Sequence, residues 1–308
     1  MSSYRHIVAS RVPVTRFSMT SMKYRFAVAI ALALLLTTGC AAQERELVFG
    51  VTEGVTYQAT PKEIRDKFLP LAEFIGKATG RRVKIVLVPA YNDVRAGLAK
   101  EEYDLVFIHP AHVAMAEIKN GRYKAIAWTS GFTDYTVSLL VNPGGSLTSL
   151  DDLKGHTLVT PDPDSITAMM VRAMLRTGKL PITTAKPDLE NAKEIAASIR
   201  IITTRYQDAV PFYIENGFAQ AGATAAKSVV KSWTDMGGKI LAQSRAVPIK
   251  QVLVSKKMPV EEQDRIRTAL LGIGQSKPGR DALEAVGYKG FVITNPEVEA
   301  STIAWLGL

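Results

Sequence analysis

The chain has 308 residues, 47% of them hydrophobic and 22% charged, with a formal net charge of +9. This length and composition can build one large or two ordinary buried cores, which excludes a disordered protein. Residues 1–39 hold five of the basic residues and no acidic one, so the remaining sequence carries only +4. Its lysines and arginines are scattered, without the basic stripe or interleaved aromatics of nucleic-acid readers, and we expect no nucleic-acid partner.

The N-terminal forty residues have the pattern of an export signal. From Met22 onward, Lys23 and Arg25 precede an apolar run over 26–36, and small residues then lead to Cys40. A run of this length is too short to span a bilayer. We therefore predict a signal peptide over 1–39 and a tether over 40–45, with translation beginning at Met1 or at Met22.

Cys40 is the only cysteine in the sequence, so no intrachain disulfide can form. Its position after Thr38 and Gly39 resembles a bacterial lipobox, in which the thiol receives lipid and tethers the mature chain to the membrane. Thr37 stands where leucine is usual. Ordinary cleavage near Ala42, which would release a soluble protein, and a structural cysteine without further function are the alternatives.

The sequence from residue 46 alternates strand and helix signals. Short apolar runs predict strands over 46–51, 82–88 and 103–109, and Thr60 with Glu63 forms a capping-box pattern at the start of the first helix. Later runs predict strands over 156–161 and 199–204, a helix over 160–175 and a short helix over 208–217. This alternation predicts parallel strands with right-handed crossovers.

The order of these elements predicts two α/β lobes between which the chain crosses twice, near 137–142 and 247–254. The first lobe is expected to contain residues 46–139 and 250–308, and the second residues 140–249. Two crossings would form a hinge. A single continuous doubly wound domain is the alternative.

Four blocks of the sequence carry a family resemblance. They are LVFGVTEGVTYQATPKEIRDKFLPLAEFIGKATGRRVKIVLV, YDLVFIHPAHVAMAE, LTSLDDLKGHTLVTPDPDSITAMM and MPVEEQDRIRTALLGIGQSKPGRDALEAVGYKGFV. In order and spacing they resemble the phosphate/phosphite/phosphonate-type periplasmic substrate-binding proteins of bacterial ABC importers, over about residues 46–292.

The resemblance implies a two-lobed type II periplasmic binding protein fold, with a mostly parallel, helix-flanked sheet in each lobe and two hinge crossovers. Its implied function is to capture a small oxyanion between the lobes and to deliver it to an ABC permease in the inner membrane, without catalysis or cofactor. We expect a monomer in the periplasm or on the outer side of the cytoplasmic membrane, held there by a lipid anchor.

The resemblance also implies the ligand-binding residues. Tyr57 matches a tyrosine after the first strand, and Tyr135 matches one in the crossover segment. Where the family has Asp-Pro-x-Ser-Thr-Ser, this chain has Ser165, Ile166 and Thr167 in the last three places. The family's His-acid pair is matched by Gln207 and Asp208, and Gln220 corresponds to a later aspartate. These replacements remove a hydroxyl, an imidazole and a carboxylate that the family's pattern supplies to the pocket.

The chemistry of the segment DPDSITAMM supports an anion site independently. We expect Asp164 to cap the helix that follows, which would leave backbone N–H groups pointing outward with a partial positive charge. Ser165 and Thr167 would add hydroxyl donors, whereas the side chain of Ile166 should face the core. A well-capped helix that binds nothing is the alternative.

The segment HPAH places His109 and His112 between a strand and a helix, where open α/β sheets bind ligands. His109 is expected to line the cleft, by donating to an anion or by stacking on an organic ligand, and the role of His112 is open. A histidine bonded to the backbone is the alternative. A metal site is not expected, because no carboxylates or cysteine lie nearby in the sequence.

Two other classes of function remain open. The sequence contains no phosphate loop, nucleophile elbow, zinc-protease motif or dinucleotide-binding fingerprint. A periplasmic hydrolase would need His109, Asp162 and Ser165 within hydrogen-bond reach of one another. A ligand-sensing subunit of a membrane sensor kinase would have the same fold as a transport protein.

Overall fold

The computed structural model describes residues 45–53, 59–184 and 197–308. The first part of the chain forms strand β1 (Leu47–Thr52), helix α1 (Pro61–Thr79), β2 (Val83–Leu87), α2 (Tyr91–Ala99), β3 (Leu105–Ile108), α3 (Ala111–Asn120) and β4 (Tyr123–Thr129). The middle part forms β5 (Ser138–Val141), β6 (Thr157–Thr160), α4 (Ile166–Thr177), β7 (Ile182–Thr183), β8 (Ile199–Thr203), α5 (Val210–Glu215), β9 (Ala221–Thr224), α6 (Lys227–Asp235) and β10 (Lys239–Gln243). The last part forms β11 (Gln251–Ser255), α7 (Val260–Leu271), α8 (Lys277–Val286), β12 (Phe291–Val292) and α9 (Pro296–Leu306).

Local sequence signals explain where the first helix begins and ends. The side chain of Thr60 accepts from the amide of Glu63, the Glu63 carboxylate accepts from the amide of Thr60, and Pro61 occupies the first turn. Gly80 ends the helix with φ of 75°, a left-handed conformation that glycine adopts without steric cost. The predicted capping box is therefore confirmed.

The strands form two six-stranded mixed sheets. The order in the first sheet is β2-β1-β3-β11-β4-β12, and in the second β7-β8-β6-β9-β5-β10. Both sheets are mixed: β1, β2 and β3 run parallel, as do β6, β7, β8 and β9. β11 runs antiparallel to β3 and β4, β12 to β4, and β5 to β9 and β10. β5 and β11 each follow directly after a crossing between the sheets. This arrangement confirms the predicted α/β fold with two sheets and two crossovers.

Both faces of each sheet are covered. Apolar residues of α1, α7 and α8 pack on one face of the first sheet, and residues of α2 and α3 pack on the other. Helix α4 covers one face of the second sheet, whereas α5 and α6 cover the opposite face. Strand β3 is buried along its whole length, as its continuous apolar run predicts for a strand covered on both sides.

The two connections between the sheets lie side by side. The backbone of Tyr135 pairs with that of Val247 in both directions, and the amide of Ile249 donates to the carbonyl of Phe132. The crossings therefore occupy residues 130–137 and 244–250, whereas 138–141 already belong to the second sheet and 251–255 to the first. This shifts the predicted crossings, 137–142 and 247–254, toward lower residue numbers.

Helix α9 follows a strand of the first sheet but contacts both α3 and α4. The side chain of Arg245 also reaches α9, where its guanidinium donates to the hydroxyl of Ser301 at 2.9 Å. The assignment of residues 46–139 and 250–308 to one lobe and 140–249 to the other therefore stays a prediction. Within the described ranges, no helix combines the length and hydropathy that a membrane span requires.

Candidate functional site

The start of helix α4 lies at the carboxyl end of β6. Ser165, not Asp164, is the N-cap: its Oγ accepts from the amide of Ala168 at 3.2 Å, and its own amide donates to the carbonyl of Asp162 at 2.9 Å. The predicted cap at Asp164 is thus wrong by one residue. The carboxylate of Asp164 is instead directed at Arg95, while the amide of Asp164 donates to Oδ1 of Asp162.

The first turn of α4 presents two free backbone donors. In the described part of the chain, no protein acceptor is bonded to the amide of Ile166 or of Thr167. The helix dipole places a partial positive charge at this end. The side chain of Ile166 is 2% exposed and packs into the core of the second sheet, which confirms its predicted orientation.

Polar side chains from three elements meet beside this helix start. The hydroxyl of Tyr135 lies 2.9 Å from Oγ1 of Thr167, and the side-chain amide of Gln207 donates to the same hydroxyl at 3.5 Å. The carbonyl oxygen of Gln207 accepts from the amide of Ala225 at 2.6 Å and from the hydroxyl of Thr224 at 3.2 Å. We call Tyr135, Thr167, Gln207 and Thr224 the hydroxyl cluster.

The protonation state of Tyr135 follows from its surroundings. Burial raises the pKa of its hydroxyl, and the hydrogen bonds from Thr167 and Gln207 oppose this shift without reversing it. The hydroxyl therefore keeps its proton at neutral pH. It can act as a donor in a cluster that contains no carboxylate.

His109 lies at the end of β3, near the crossing segments. Its Nδ1 lies 3.2 Å from the carbonyl oxygen of Ile249, which can only accept, so Nδ1 carries the proton. Burial, followed by the charge of Lys250, lowers the pKa of His109 to about 4. At neutral pH the ring is uncharged and its Nε2 is an acceptor. A donor role toward an anion, one of the predicted alternatives, would require a different protonation state.

His112 differs from His109 in that its ring contacts the side chain of Arg95. The ring is 4% exposed and lies edge-on to the ring of Tyr91. Its Nε2 lies 3.3 Å from Nη2 of Arg95 and must accept from it. Burial and the charge of Arg95 lower the pKa of His112 to about 4. Nδ1 then carries the proton, and it has no partner among the described residues.

A buried charged cluster lies at the end of β1. Among the described residues, the carboxylate of Glu53 bonds to Lys67 at 2.6 Å, to Lys250 at 3.4 Å and to the hydroxyl of Tyr288. Burial opposes ionisation of Glu53, but these partners outweigh it and lower its pKa. Two ammonium groups therefore surround one ionised carboxylate, which leaves positive charge in excess at this edge of the first sheet.

A cavity of about 380 Å³ opens at the carboxyl ends of β1 and β2, and its lining includes no residue of the hydroxyl cluster. Thr52 and Glu53 line it from β1, Ala90 from the segment after β2, and Arg205 from the segment after β8. Open α/β folds bind ligands at this edge of their sheets.

The remaining predicted residues do not all converge on this place. Asp208 is exposed in a short 3₁₀ helix over Gln207–Ala209. Gln220, matched to a family aspartate, accepts from the amide of Thr157 at the amino end of β6, away from the cleft. Tyr57 and Cys40 lie outside the described residues.

Sequence reasoning missed Thr224 and Arg95. Thr224 ends the buried strand AGAT, and a hydroxyl residue at the carboxyl end of such a strand is a readable signal. Arg95 lies within a helix and gives no comparable signal, because its partner is 69 residues away.

The proposed hydrolase geometry is not formed. Ser165 Oγ is occupied as the helix cap, and in the described part of the chain no hydrogen bond joins it to His109 or to the side chain of Asp162. The described residues also contain no group of three or more His, Cys, Asp or Glu side chains placed to hold a metal.

Two sheets linked by paired crossings, with donors at the edges that face each other, define a two-lobed solute-binding protein. Residues 54–298 match the family described as ABC transporter, phosphonate, periplasmic substrate-binding protein. The chain belongs to this family and is a periplasmic substrate-binding protein of an ABC transporter. Members of the family are in general not enzymes.

Solved structures share the fold at low sequence identity. XAC2383 from Xanthomonas citri bound to ATP is 17% identical, with a TM-score of 0.70 over 85% of this chain and 96% of that chain. PhnD1 from Prochlorococcus marinus in complex with methylphosphonate is 14% identical, with a TM-score of 0.58 over 84% and 96% of the two chains. A binding protein component of an ABC phosphonate transporter from Pseudomonas aeruginosa is 15% identical, with a TM-score of 0.53 over 85% and 94%.

Proposed function

We propose that the cleft binds a small oxyanion of the phosphonate, phosphite or phosphate class and releases it to the permease of the transporter. The observation that carries this proposal is the pair of free amides at Ile166 and Thr167 beside the hydroxyl cluster. Backbone donors and hydroxyl groups can solvate an oxyanion without a lysine or arginine in contact with it. The absence of a carboxylate from the hydroxyl cluster removes the main source of repulsion.

The first sheet would contribute to binding through its charge. Lys67 and Lys250 around Glu53 leave positive charge near the cleft, which favours a ligand of opposite charge. His109 would offer an uncharged acceptor nitrogen to a ligand hydroxyl or to a protonated oxyanion. Tyr57 is proposed as a further contact after β1, and Asp208 as a residue at the rim.

The polar groups of the site narrow the choice of ligand. The substitutions at Ile166 and Gln207 remove a hydroxyl and an imidazole that the family's pattern supplies, so the preferred ligand need not be the one that other members bind. An inorganic oxyanion or a phosphonate with a short uncharged tail fits these groups best.

The export signal and anchor complete the proposal. Cleavage of residues 1–39 and lipidation of Cys40 would hold a monomeric chain at the periplasmic face of the membrane, close to its permease. In this case the protein partitions into detergent from membranes, and Cys40→Ser blocks processing or releases soluble protein. Recovery of the unaltered chain wholly in the soluble periplasmic fraction would reject the anchor.

A thermal-shift and calorimetry screen tests the ligand class. The panel is phosphate, phosphite, methylphosphonate, aminoethylphosphonate, sulfate and small carboxylates. A ligand at a hundred times its Kd should stabilise the protein by about 2.7 kcal/mol, which is visible as a raised melting temperature. If carboxylates bind and every phosphorus oxyanion fails, the proposal is wrong. A role in sensing would use the same cleft, and neighbouring genes for a sensor kinase in place of a permease would support it.

A further inference from the structure

The guanidinium of Arg95 and the carboxylate of Asp164 form a bidentate ion pair. Nη1 lies 2.9 Å from Oδ2, and Nη2 lies 2.9 Å from Oδ1. Arg95 belongs to α2, which packs on the first sheet, whereas Asp164 precedes α4, which packs on the second. The pair therefore joins elements of the two sheets from opposite sides of the cleft. Two parallel bonds define the relative orientation of both groups, which a single contact would not do.

Contacts within its own element and with α3 hold Arg95 in place. Nη1 also lies 3.3 Å from Oδ1 of Asn92, Nη2 lies 3.3 Å from Nε2 of His112, and the guanidinium lies 5.9 Å from the ring centre of Tyr91. Because the ring of His112 is buried, its accepting nitrogen is fixed relative to the first sheet. Arg95 is thus held by groups on the side of the first sheet as well as by Asp164.

On the other side, Asp164 is directly joined to the anion-binding end of α4. Its amide is bonded to Oδ1 of Asp162 at 2.8 Å, and the next residue, Ser165, caps the helix. Further along α4, the guanidinium of Arg172 donates to the carbonyl of Pro163 at 2.7 Å. This loop has little freedom relative to α4. A force on the carboxylate of Asp164 therefore acts on the helix start itself.

We infer that Arg95 is a positioning residue for ligand capture, which acts through Asp164 to hold the start of α4 against the first lobe when the cleft is closed. The inference rests on the proposed function, since it assigns the ligand to that helix start. Separation of the sheets would break both bonds of the pair. Arg95 then raises the population of the closed arrangement, and the apparent affinity for ligand rises with that population.

The exposure of Arg95 and Asp164 to solvent limits how much their ion pair can change the affinity for ligand. The two side chains are 37% and 46% exposed, so water and salt screen the pair. Loss of one partner should weaken binding by about two- to fivefold, and the loss should shrink at high ionic strength. The loss of affinity should appear mainly as a higher rate of ligand dissociation, because the cleft must open before the ligand is released.

The test uses Arg95→Gln, Asp164→Asn, the double variant, and the exchanged pair Arg95→Asp with Asp164→Arg, all in the full chain. The matched control is Lys62→Gln, which removes an exposed ion pair with Asp66 inside α1. Two readouts are taken: small-angle X-ray scattering of the ligand-free protein, and the affinity and dissociation rate of methylphosphonate. We expect each single variant to expand the free protein and to speed dissociation, the double variant to be no worse than either, and the exchanged pair to recover part of the loss.

The two readouts separate this inference from the proposed function. If methylphosphonate and the other oxyanions do not bind any variant, the proposed ligand class fails, while the scattering of the free protein still tests the pair. If Arg95→Gln scatters like Lys62→Gln and like the unaltered chain, the pair does not hold the cleft. Additive losses in the double variant would also overturn the inference, because coupled residues must show non-additive effects.

Discussion

The hydroxyl of Tyr135 lies 2.9 Å from Oγ1 of Thr167, which bonds the first crossing between the sheets to the first turn of α4. Tyr135 also pairs through its backbone with Val247 in the second crossing. One residue thus contacts both connections between the lobes and the proposed ligand site. Ligand binding at the helix start, as proposed, would therefore be coupled to the geometry of the crossings.

Tyr135→Phe tests this coupling. The change removes a hydroxyl that bonds to Thr167 and Gln207 and that is proposed to donate to the ligand, so methylphosphonate should bind about tenfold more weakly. Calorimetry measures the affinity, and urea unfolding measures the stability.

The control for this change is Tyr123→Phe. Tyr123 is fully buried in the first sheet, and its hydroxyl donates to the carbonyl of Tyr103 at 3.0 Å, away from the crossings. It should lower the free energy of unfolding by about 1 kcal/mol without changing the affinity. Equal losses of affinity in both variants would contradict a specific role for Tyr135.

Ser165→Ala tests the cap of α4. Loss of the bond between Oγ and the amide of Ala168 should lower the free energy of unfolding by about 1 kcal/mol. Because the bond from the Ala168 amide fixes the first turn, its loss should let the amides of Ile166 and Thr167 move out of position, and the affinity for an oxyanion should fall as well. Ser165→Pro would cost more, since it also removes the bond from the Ser165 amide to the carbonyl of Asp162.

Ser276→Ala provides the matched control. Ser276 caps α8 in the same way, with its Oγ accepting from the amide of Gly279 at 3.2 Å, but α8 packs on the outer face of the first sheet. The two variants should lower the free energy of unfolding by similar amounts and should differ only in ligand affinity. If neither changes affinity, the start of α4 is only a capped helix and the ligand lies elsewhere in the cleft.

The error at Asp164 shows what a sequence can specify about this site. Strand and helix order, the capping box at Thr60 and the alternation of two sheets follow from local patterns, which the sequence contains in full. Asp and Ser are equally good N-caps, so neighbouring residues could not decide between Asp164 and Ser165. The decision comes from Arg95, which engages the carboxylate of Asp164 and is distant in sequence.

The same limit applies to Gln220 and Thr224. A family pattern assigned the pocket position to Gln220, yet this residue lies at the amino end of β6, and the hydroxyl that reaches Gln207 comes from Thr224. Three residues separate them, along a strand that runs from one edge of the sheet to the other. Matching the family pattern a few residues earlier or later along such a strand moves the predicted residue from the site to the opposite edge, and a sequence without the fold does not fix the match.

The two histidines of HPAH predict a pH dependence of stability. Burial holds the pKa of His109 and of His112 at about 4 in the folded chain, whereas the ordinary value is 6.5. Between these values the unfolded chain takes up protons that the folded chain does not. The stabilising contribution is therefore complete above pH 6.5 and is lost as the pH falls toward 4.

Urea unfolding of the ligand-free protein at pH 7 and pH 5 measures this loss. His109→Gln and His112→Gln, made singly, should each reduce the difference between the two pH values by about 1–2 kcal/mol. Carboxylates that titrate in the same range contribute equally to the unaltered chain and to the variants, and so cancel. If the free energy of unfolding changes by the same amount between pH 7 and pH 5 in all three proteins, neither ring is held neutral by burial.

The last prediction concerns the tail of the ligand. Where the family has a histidine followed by an acidic residue, this chain has Gln207 followed by Asp208, and the hydroxyl cluster around Gln207 contains no carboxylate for a ligand ammonium. We expect aminoethylphosphonate to bind more weakly than methylphosphonate in calorimetric titrations. Gln207→Glu should reverse this preference and shift the ratio of the two affinities by about tenfold toward the amino compound.

The substitution is suited to the site because it keeps the existing contacts and reverses only the hydrogen bond with Tyr135. One carboxylate oxygen of Glu can accept from the amide of Ala225 and the hydroxyl of Thr224, as Oε1 of Gln207 does, and the other can accept from the hydroxyl of Tyr135. Asp208→Asn is the companion variant, because Asp208 is the neighbouring exposed carboxylate. If the unaltered protein prefers aminoethylphosphonate and Asp208→Asn abolishes that preference, the ammonium is bound at the rim by Asp208, and the assignment of tail selectivity to Gln207 is wrong.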